Sequence, residues 1–328
     1  MPPRPDVRLE SDEADAALSI LRKRIGKQQP TAADWERVFS STGYVRLKER
    51  ETSMGRSFTD SAFTAFLMSD TLLRRTQLLD QTVQRLRRLD VDGAAARALK
   101  YLPAGTVLKA SLYLEIKPRT NSFVFTGPSI FLYVDPRQTP AQLENTITHE
   151  LHHIGLQSAC PDPSPARAVP AQAMLLRILG ALSEGQAMLA AAGSPWIHPH
   201  AADADSVRAR WDRDVARAPQ DIAELSHFFT SVLDGSVTSP DSVQARAFTY
   251  FGVQGPWYTV GWLMASTIER VRGRATLVHS MCDPTEFIAL YNEAAKNADP
   301  SGRVLPRWDA GLVQRLISLR IALSRSPA

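Results

Sequence analysis

Cysteine is nearly absent from these 328 residues: only Cys160 and Cys282 occur, too few for a thiolate metal cage and enough for at most one disulfide. Long apolar runs are also missing. The best candidate, Met174 to Ala192, is interrupted by Arg177 and Glu184, so no membrane span is expected. The first 16 residues are polar and carry prolines, with no apolar run behind a basic start. No signal peptide is expected there, and the expected location is the cytoplasm; the alternative is an exported protein whose signal lies outside this sequence. Lysine is scarce, at seven residues, so arginine supplies most of the 38 basic side chains that stand against 34 acidic ones. The surplus of +4 is small, and no basic run is interleaved with aromatics as a stacking groove requires. Neither nucleic acid nor membrane is therefore an expected partner. What is present, 44% hydrophobic and 22% charged residues, suffices for a large core and excludes disorder.

The period of the apolar residues divides the chain. Residues 1–105 read as helices, with Thr31 as N-cap of a helix through Trp35, Val38 and Phe39 that Gly43 ends. From Thr106 the period shortens: Leu112, Leu114 and Ile116 alternate with Ser111, Glu115 and Lys117, a turn follows at Pro118 to Asn121, and two short β-rich runs lie at Ser122 to Thr126 and Ser129 to Val134. These predict a small antiparallel sheet. Thr139, Pro140 and Gln142 form a capping-box signature for a helix starting near residue 140. A loop with Pro161, Pro163, Pro165 and Pro170 leads to an apolar helix over Ala171 to Ala192, stopped by Gly193, and further helices are expected near Asp205 to Ala216, Asp221 to Leu233, Tyr258 to Val271, Thr285 to Ala295 and Ala310 to Leu323. The fold class is α+β and predominantly helical. Its regions are residues 1–105 (helical), 106–157 (small sheet plus metal-binding helix) and 158–328 (helical lobe), integrated into one catalytic unit.

Three of the seven histidines fall within five residues. His149-Glu150-Leu151-His152-His153 matches His-Glu-x-x-His, in which two imidazoles one helical turn apart chelate a metal and the glutamate activates the hydrolytic water. Positions i and i+4 lie about 40° apart on a helix, so both rings reach one ion. The pattern arises by chance about 0.006 times in a chain of this composition. Leu143, Ile147, Leu151 and Ile154 form the core stripe of the same helix, and His149 and His153 project about 120° or more from its midline. Glu150 falls between the two directions. His152 points away from the metal face, in a supporting or structural position.

A catalytic zinc needs a third protein ligand and one open position. Glu184 is the candidate. Its neighbours three and four residues away are Gly180, Ala181, Ala187 and Met188, so no local base compensates its charge. The alternative is a solvated strip shared with Arg177, seven residues earlier. For the oxyanion, Tyr258, which follows Gly255-Pro256-Trp257 at a helix start, is the first candidate and His227 the second; a core anchor is the plain alternative for Tyr258. Glu224 and His227 make an i, i+3 pair, but a di-iron bundle requires a second such pair and the sequence has none. His198 and His200 belong to a loop, and His279 is expected to be packed.

On these residues the sequence resembles the gluzincin branch of the zincin metallopeptidases, which includes the thermolysin-like and neprilysin-like enzymes. Glu184-Gly185-Gln186-Ala187, the segment Tyr258 to Ala265 and Arg274 to Tyr291 look more closely like an uncharacterised group of bacterial zinc-dependent peptidases. The resemblance is specific over residues 129–188. It implies Zn2+ bound by His149, His153 and Glu184, Glu150 as general base, a peptide or protein substrate, and strand Ser129 to Val134 as the sheet-edge ledge on which an extended substrate pairs. Two departures stand out: the 30 residues between His153 and Glu184 exceed the thermolysin-like spacing, and Met188 stands where those enzymes have an aspartate that orients a zinc-binding histidine. The expected function is a zinc-dependent peptidase. The alternatives are a non-peptide metallohydrolase and a zinc-binding interaction protein without catalytic activity.

Overall fold

The computed structural model describes residues 5–119, 123–125, 128–160 and 169–324. Strand β1 (Asp6–Glu10) is followed by helices α1 (Asp12–Ile25), α2 (Ala32–Phe39), α3 (Thr42–Ser53), α4 (Asp60–Leu67), α5 (Asp70–Arg74), α6 (Thr76–Leu86) and α7 (Val91–Leu99). Strands β2 (Lys109–Glu115), β3 (Phe123–Phe125) and β4 (Ser129–Tyr133) come next, and then α8 (Pro140–Ala159) and α9 (Pro170–Leu179). A short 3-10 turn (Gly180–Leu182) separates α9 from α10 (Ser183–Ala192). The remainder is α11 (Asp205–Ala216), α12 (Ala218–Leu233), α13 (Pro240–Phe248), α14 (Pro256–Arg272), α15 (Arg274–Ser280), α16 (Pro284–Ala298) and α17 (Ala310–Ser324). Helix therefore predominates, as expected. The expected helix over Ala171 to Ala192 is two helices with the 3-10 turn between them, and α13 and α15 were not anticipated. Thr31 caps α2 in a full capping box with Asp34, but α2 ends at Ser40, and Gly43 lies inside α3. Pro161, Pro163 and Pro165, and Thr120 to Ser122 of the expected turn and strand, lie outside the described residues.

The chain forms two compact units, one of residues 5–95 and 108–154, the other of residues 96–107 and 155–324. The first contains the sheet, with strand order β1-β2-β4-β3. Here the expectation of an antiparallel sheet fails: β1 pairs with β2 and β2 with β4 in parallel, and β3 alone joins β4 antiparallel. The continuous apolar run Ile130-Phe131-Leu132-Tyr133 is the signature of a strand buried on both faces, the usual condition of parallel sheets. All five residues of β4 are indeed buried. β1 was not anticipated, because a parallel partner arrives through a long crossover and leaves no hairpin signal. β4 is also not an edge. β2 flanks it on one side and β3 on the other, in the register Val124 opposite Ile130, so it is an interior strand rather than a ledge for an extended substrate.

Burial extends to polar positions at the end of β2. Glu115 and Lys117, the polar positions of that alternation, are 0% and 3% exposed. Glu13 on α1 is also fully buried, and its Oε2 accepts the backbone N–H of Ile116 at 2.9 Å. Ala14, Ala17, Leu18 and Leu21 of α1 are wholly buried, and the helix packs on β2 among other elements of this unit.

In the second unit α14 is central, and its Val260, Met264, Ala265 and Ile268 are wholly buried. It meets α10 through two glycines. A Cβ on Gly185 would stand 1.9 Å from the backbone N of Trp262, and one on Gly261 would stand 2.4 Å from the backbone O of Leu182. Because the obstacles are backbone atoms, no rotamer change relieves them. Gly185→Ala is expected to destabilise the protein by about 3 kcal/mol through overpacking. Gly180→Ala, where nothing lies within 4 Å, is the control expected to leave the urea midpoint nearly unchanged. Equal midpoints for the two variants would refute the tight crossing. Cys160 and Cys282 form a disulfide, with Cα atoms 5.1 Å apart. Among the described residues, no helix is long and apolar enough to cross a membrane.

Candidate metal centre

α8 begins where its capping residues require. The Gln142 side chain accepts from the Thr139 backbone N–H at 2.8 Å, and the Gln142 N–H donates to Thr139 Oγ1 at 3.2 Å, satisfying two of the orphan donors of a helix start. Leu143, Ile147 and Leu151 are 0% exposed and Ile154 is buried with them. The core stripe thus fixes the rotation of the helix, and that rotation leaves His149, Glu150 and His153 half-buried.

The two imidazoles are already convergent. Nε2 of His149 and Nε2 of His153 lie 3.1 Å apart, with ring planes at 80° and centroids 4.7 Å apart. Two nitrogens at zinc-ligand distance on a tetrahedral ion stand about 3.3 Å apart, so this spacing is close to that of two imidazoles sharing a metal. His152 is fully buried, with its ring centroid 6.3 Å from that of His153, in agreement with a structural position.

Glu184 occupies the first turn of α10, half-buried, beside the Gly185 contact with α14. His149, His153 and Glu184 each offer one ligand atom, and the three atoms lie within 4.8 Å of one another. Two neutral imidazoles and one carboxylate are a borderline donor set with a single formal negative charge, which fits zinc better than the oxygen-only sets that calcium and magnesium require. The residues present therefore fit the metal that the motif implies.

The other candidates are distributed elsewhere. Tyr258 is the third residue of α14, half-buried, with its ring 6.4 Å from that of Phe251. His227 and Glu224 are exposed on α12. His198 pairs with Asp212 at 3.1 Å and His200 with Asp203 at 2.7 Å, which accounts for both loop histidines as local tethers. His279, expected to be packed, is exposed on α15 because Leu277 and Ser280 are the residues of that short helix that face inward. The sequence reading did not single out the buried charges Glu13, Glu115 and Lys117; charged residues next to the apolar run of β2, at its last position and two residues beyond, were the available signal for two of them.

No curated protein and no solved structure matches the chain. A family model described as "Putative zinc dependent peptidase (DUF5700)" matches residues 22–299, which takes in β2 to β4, the His-Glu-x-x-His helix and Glu184. With most of its length so matched, and with the donor set for zinc assembled on it, the chain belongs to this family of zinc-dependent peptidases, a family whose activity carries the qualifier "putative" in its description.

Proposed function

We propose that the protein is a peptidase of the gluzincin type in which His149, His153 and Glu184 hold zinc, Glu150 is the general base and Tyr258 donates to the oxyanion. One observation supports the reading: the two histidines of the motif and the glutamate nominated beside them offer ligand atoms that lie within 4.8 Å of one another. The choice of peptides over other hydrolysable substrates follows the family description. Zinc, when bound, supplies Lewis acidity that polarises the scissile carbonyl and acidifies water at neutral pH. With only His149, His153 and Glu184 as protein donors, zinc held there would keep room for water or substrate, as a catalytic rather than a structural site requires.

The remaining chemistry belongs to the side chains. Glu150, half-buried next to His149, takes a proton from the attacking water and returns it to the departing amine, so one carboxylate acts first as base and then as acid. The phenol of Tyr258 hydrogen-bonds the oxygen that becomes negative in the tetrahedral intermediate, an interaction worth about 3 kcal/mol in comparable oxyanion sites.

Zinc content tests the ligand set. Wild-type protein from metal-replete culture is expected to carry near-stoichiometric zinc, and Glu184→Ala to bind it at least about 100-fold more weakly. Unchanged affinity removes Glu184 from the set, and a wild type that binds no zinc ends the proposal. Bound zinc with no cleavage in a mixed peptide library points instead to a non-peptide hydrolase or an interaction protein.

A further inference from the structure

The unit of residues 96–107 and 155–324 contains a cavity of about 320 Å³ between the pair α11 and α12 and the segment that joins α13 to α14. One wall is acidic. Asp214 stands near the end of α11, and Asp221 and Glu224, three residues apart on α12, share a face of that helix. The other wall is mostly apolar, made by Tyr250, Val253 and Pro256, of which Val253 is 71% exposed. A cavity of this volume, with apolar walls and a few polar groups that converge on it, is the usual form of a small-molecule site.

Little balances the acidic wall. The side chain of Asp221 is only 8% exposed, yet no described residue donates a hydrogen bond to it, nor to the half-buried Asp214 or the exposed Glu224. The one ion pair that the three carboxylates form is Asp221 with Arg217, at 3.9 Å, and the Arg217 side chain is 64% exposed. Arg246 on α13 is engaged elsewhere: its Nε donates to the hydroxyl of Tyr250 at 3.2 Å, and its guanidinium lies over the ring of Phe228. A carboxylate buried without a donor costs free energy, and a cation that enters the cavity offsets that cost.

A metal ion is not the match. Among the described residues, the group of three or more His, Cys, Asp or Glu side chains close enough to hold an ion is His149, His153 and Glu184, so the three carboxylates of this cavity stand too far apart to share one. A broader cation, with several N–H donors on one planar head, reaches separated acceptors. We propose that this cavity binds an organic cation: an amidinium or guanidinium head that meets Asp221, Asp214 and Glu224, carried on a small apolar body that lies against Tyr250, Val253 and Pro256. An uncharged analogue leaves the buried carboxylate without a charged partner, and an anionic one is repelled. None of these residues is a proposed zinc ligand or catalytic group, so the proposal stands apart from the peptidase reading.

The test titrates the full chain calorimetrically at pH 8 with benzamidine and with benzamide, its uncharged isostere. Burial, opposed by Arg217 and reinforced by Glu224 and Asp214, raises the Asp221 carboxyl to about 6, so at pH 8 it is ionised. Benzamidine is expected to bind saturably, and benzamide at least tenfold more weakly. Asp221→Asn, which keeps the shape and removes the charge, is expected to retain the wild-type melting temperature and to lose at least tenfold in affinity for benzamidine. Thr249→Lys sets a cation of the protein's own at an exposed position of the lining and is expected to weaken benzamidine to the same degree. N-acetylargininamide separates two sources of such a head group: affinity like that of benzamidine assigns the cavity to basic side chains of peptides, and affinity at least tenfold weaker assigns it to free cations. No saturable binding at millimolar benzamidine, equal affinity for benzamide, or wild-type affinity in either folded variant overturns the proposal.

Discussion

Glu150→Gln is expected to reduce peptide hydrolysis by about 10⁴-fold while the protein keeps its zinc. General acid-base groups contribute about 10² to 10⁴ in rate, and a residue that serves both proton transfers belongs at the upper end. Glutamine has nearly the size and shape of glutamate and sits at a half-buried position of α8, so neither the core stripe nor the imidazole pair is disturbed. Its amide oxygen is far too weakly basic to accept the proton from water. The measurement pairs turnover on a peptide found in the library screen with zinc determination on the same preparations. Loss of activity with zinc retained is the expected result. Activity within about tenfold of wild type would remove Glu150 from the chemistry. Activity lost together with zinc would instead assign Glu150 to metal binding or to the integrity of the helix.

The second large effect concerns stability. Cys160 and Cys282 are bridged across a sequence separation of 122 residues. Closing so long a loop in the unfolded chain removes conformational entropy equivalent to about 5 kcal/mol in the loop-entropy description. That figure rivals the whole stability of many domains. Cys282→Ser is therefore expected to lower the free energy of unfolding by several kcal/mol, read as a shifted urea midpoint. Wild type in excess reductant should fall toward the same midpoint, whereas the variant should be insensitive to reductant. A thiol titration finding two free thiols in the denatured, unreduced wild type would contradict the bridge. An unchanged midpoint in the variant would show that the bridge does not contribute to stability. The bridge also has a local consequence: Cys160 directly follows α8, so the far end of the helix that carries both histidines is tied to the segment between α15 and α16.

Where information lay close together in the chain, it was readable. The start of α8 follows from Thr139, Pro140 and Gln142, which interact within one turn. Its buried stripe follows from Leu143, Ile147 and Leu151, spaced for one face, and the convergence of His149 and His153 follows from the same period. The helical content of the C-terminal half and the stop at Gly193, whose φ of 78° suits glycine at a helix end, are of the same kind. Strand direction was not readable. Alternation in β2 suggested a one-sided antiparallel sheet, while the partner that makes it parallel, β1, lies about a hundred residues earlier and announces itself by no turn. The interior charges are of the same kind: alternation marks Glu115 and Lys117 as polar positions, and only the packing of the whole unit buries them.

The sequence by itself determined most of the helices, the caps of α2 and α8, the one-turn spacing of His149 and His153 and the nomination of Glu184, because each depends on residues no more than a few positions apart or on the chemistry of a single side chain. Only the tertiary structure decided that Glu184 lies with the two histidines rather than in a solvated strip with Arg177, that the two cysteines pair, that β4 is interior, and that Glu115 and Lys117 are buried. The physical reason is common to all four. Hydrogen-bonded helices and caps are satisfied locally, whereas parallel strand pairing, bridge formation and the grouping of distant ligands require segments whose encounter is chosen by the burial of apolar surface across the whole chain.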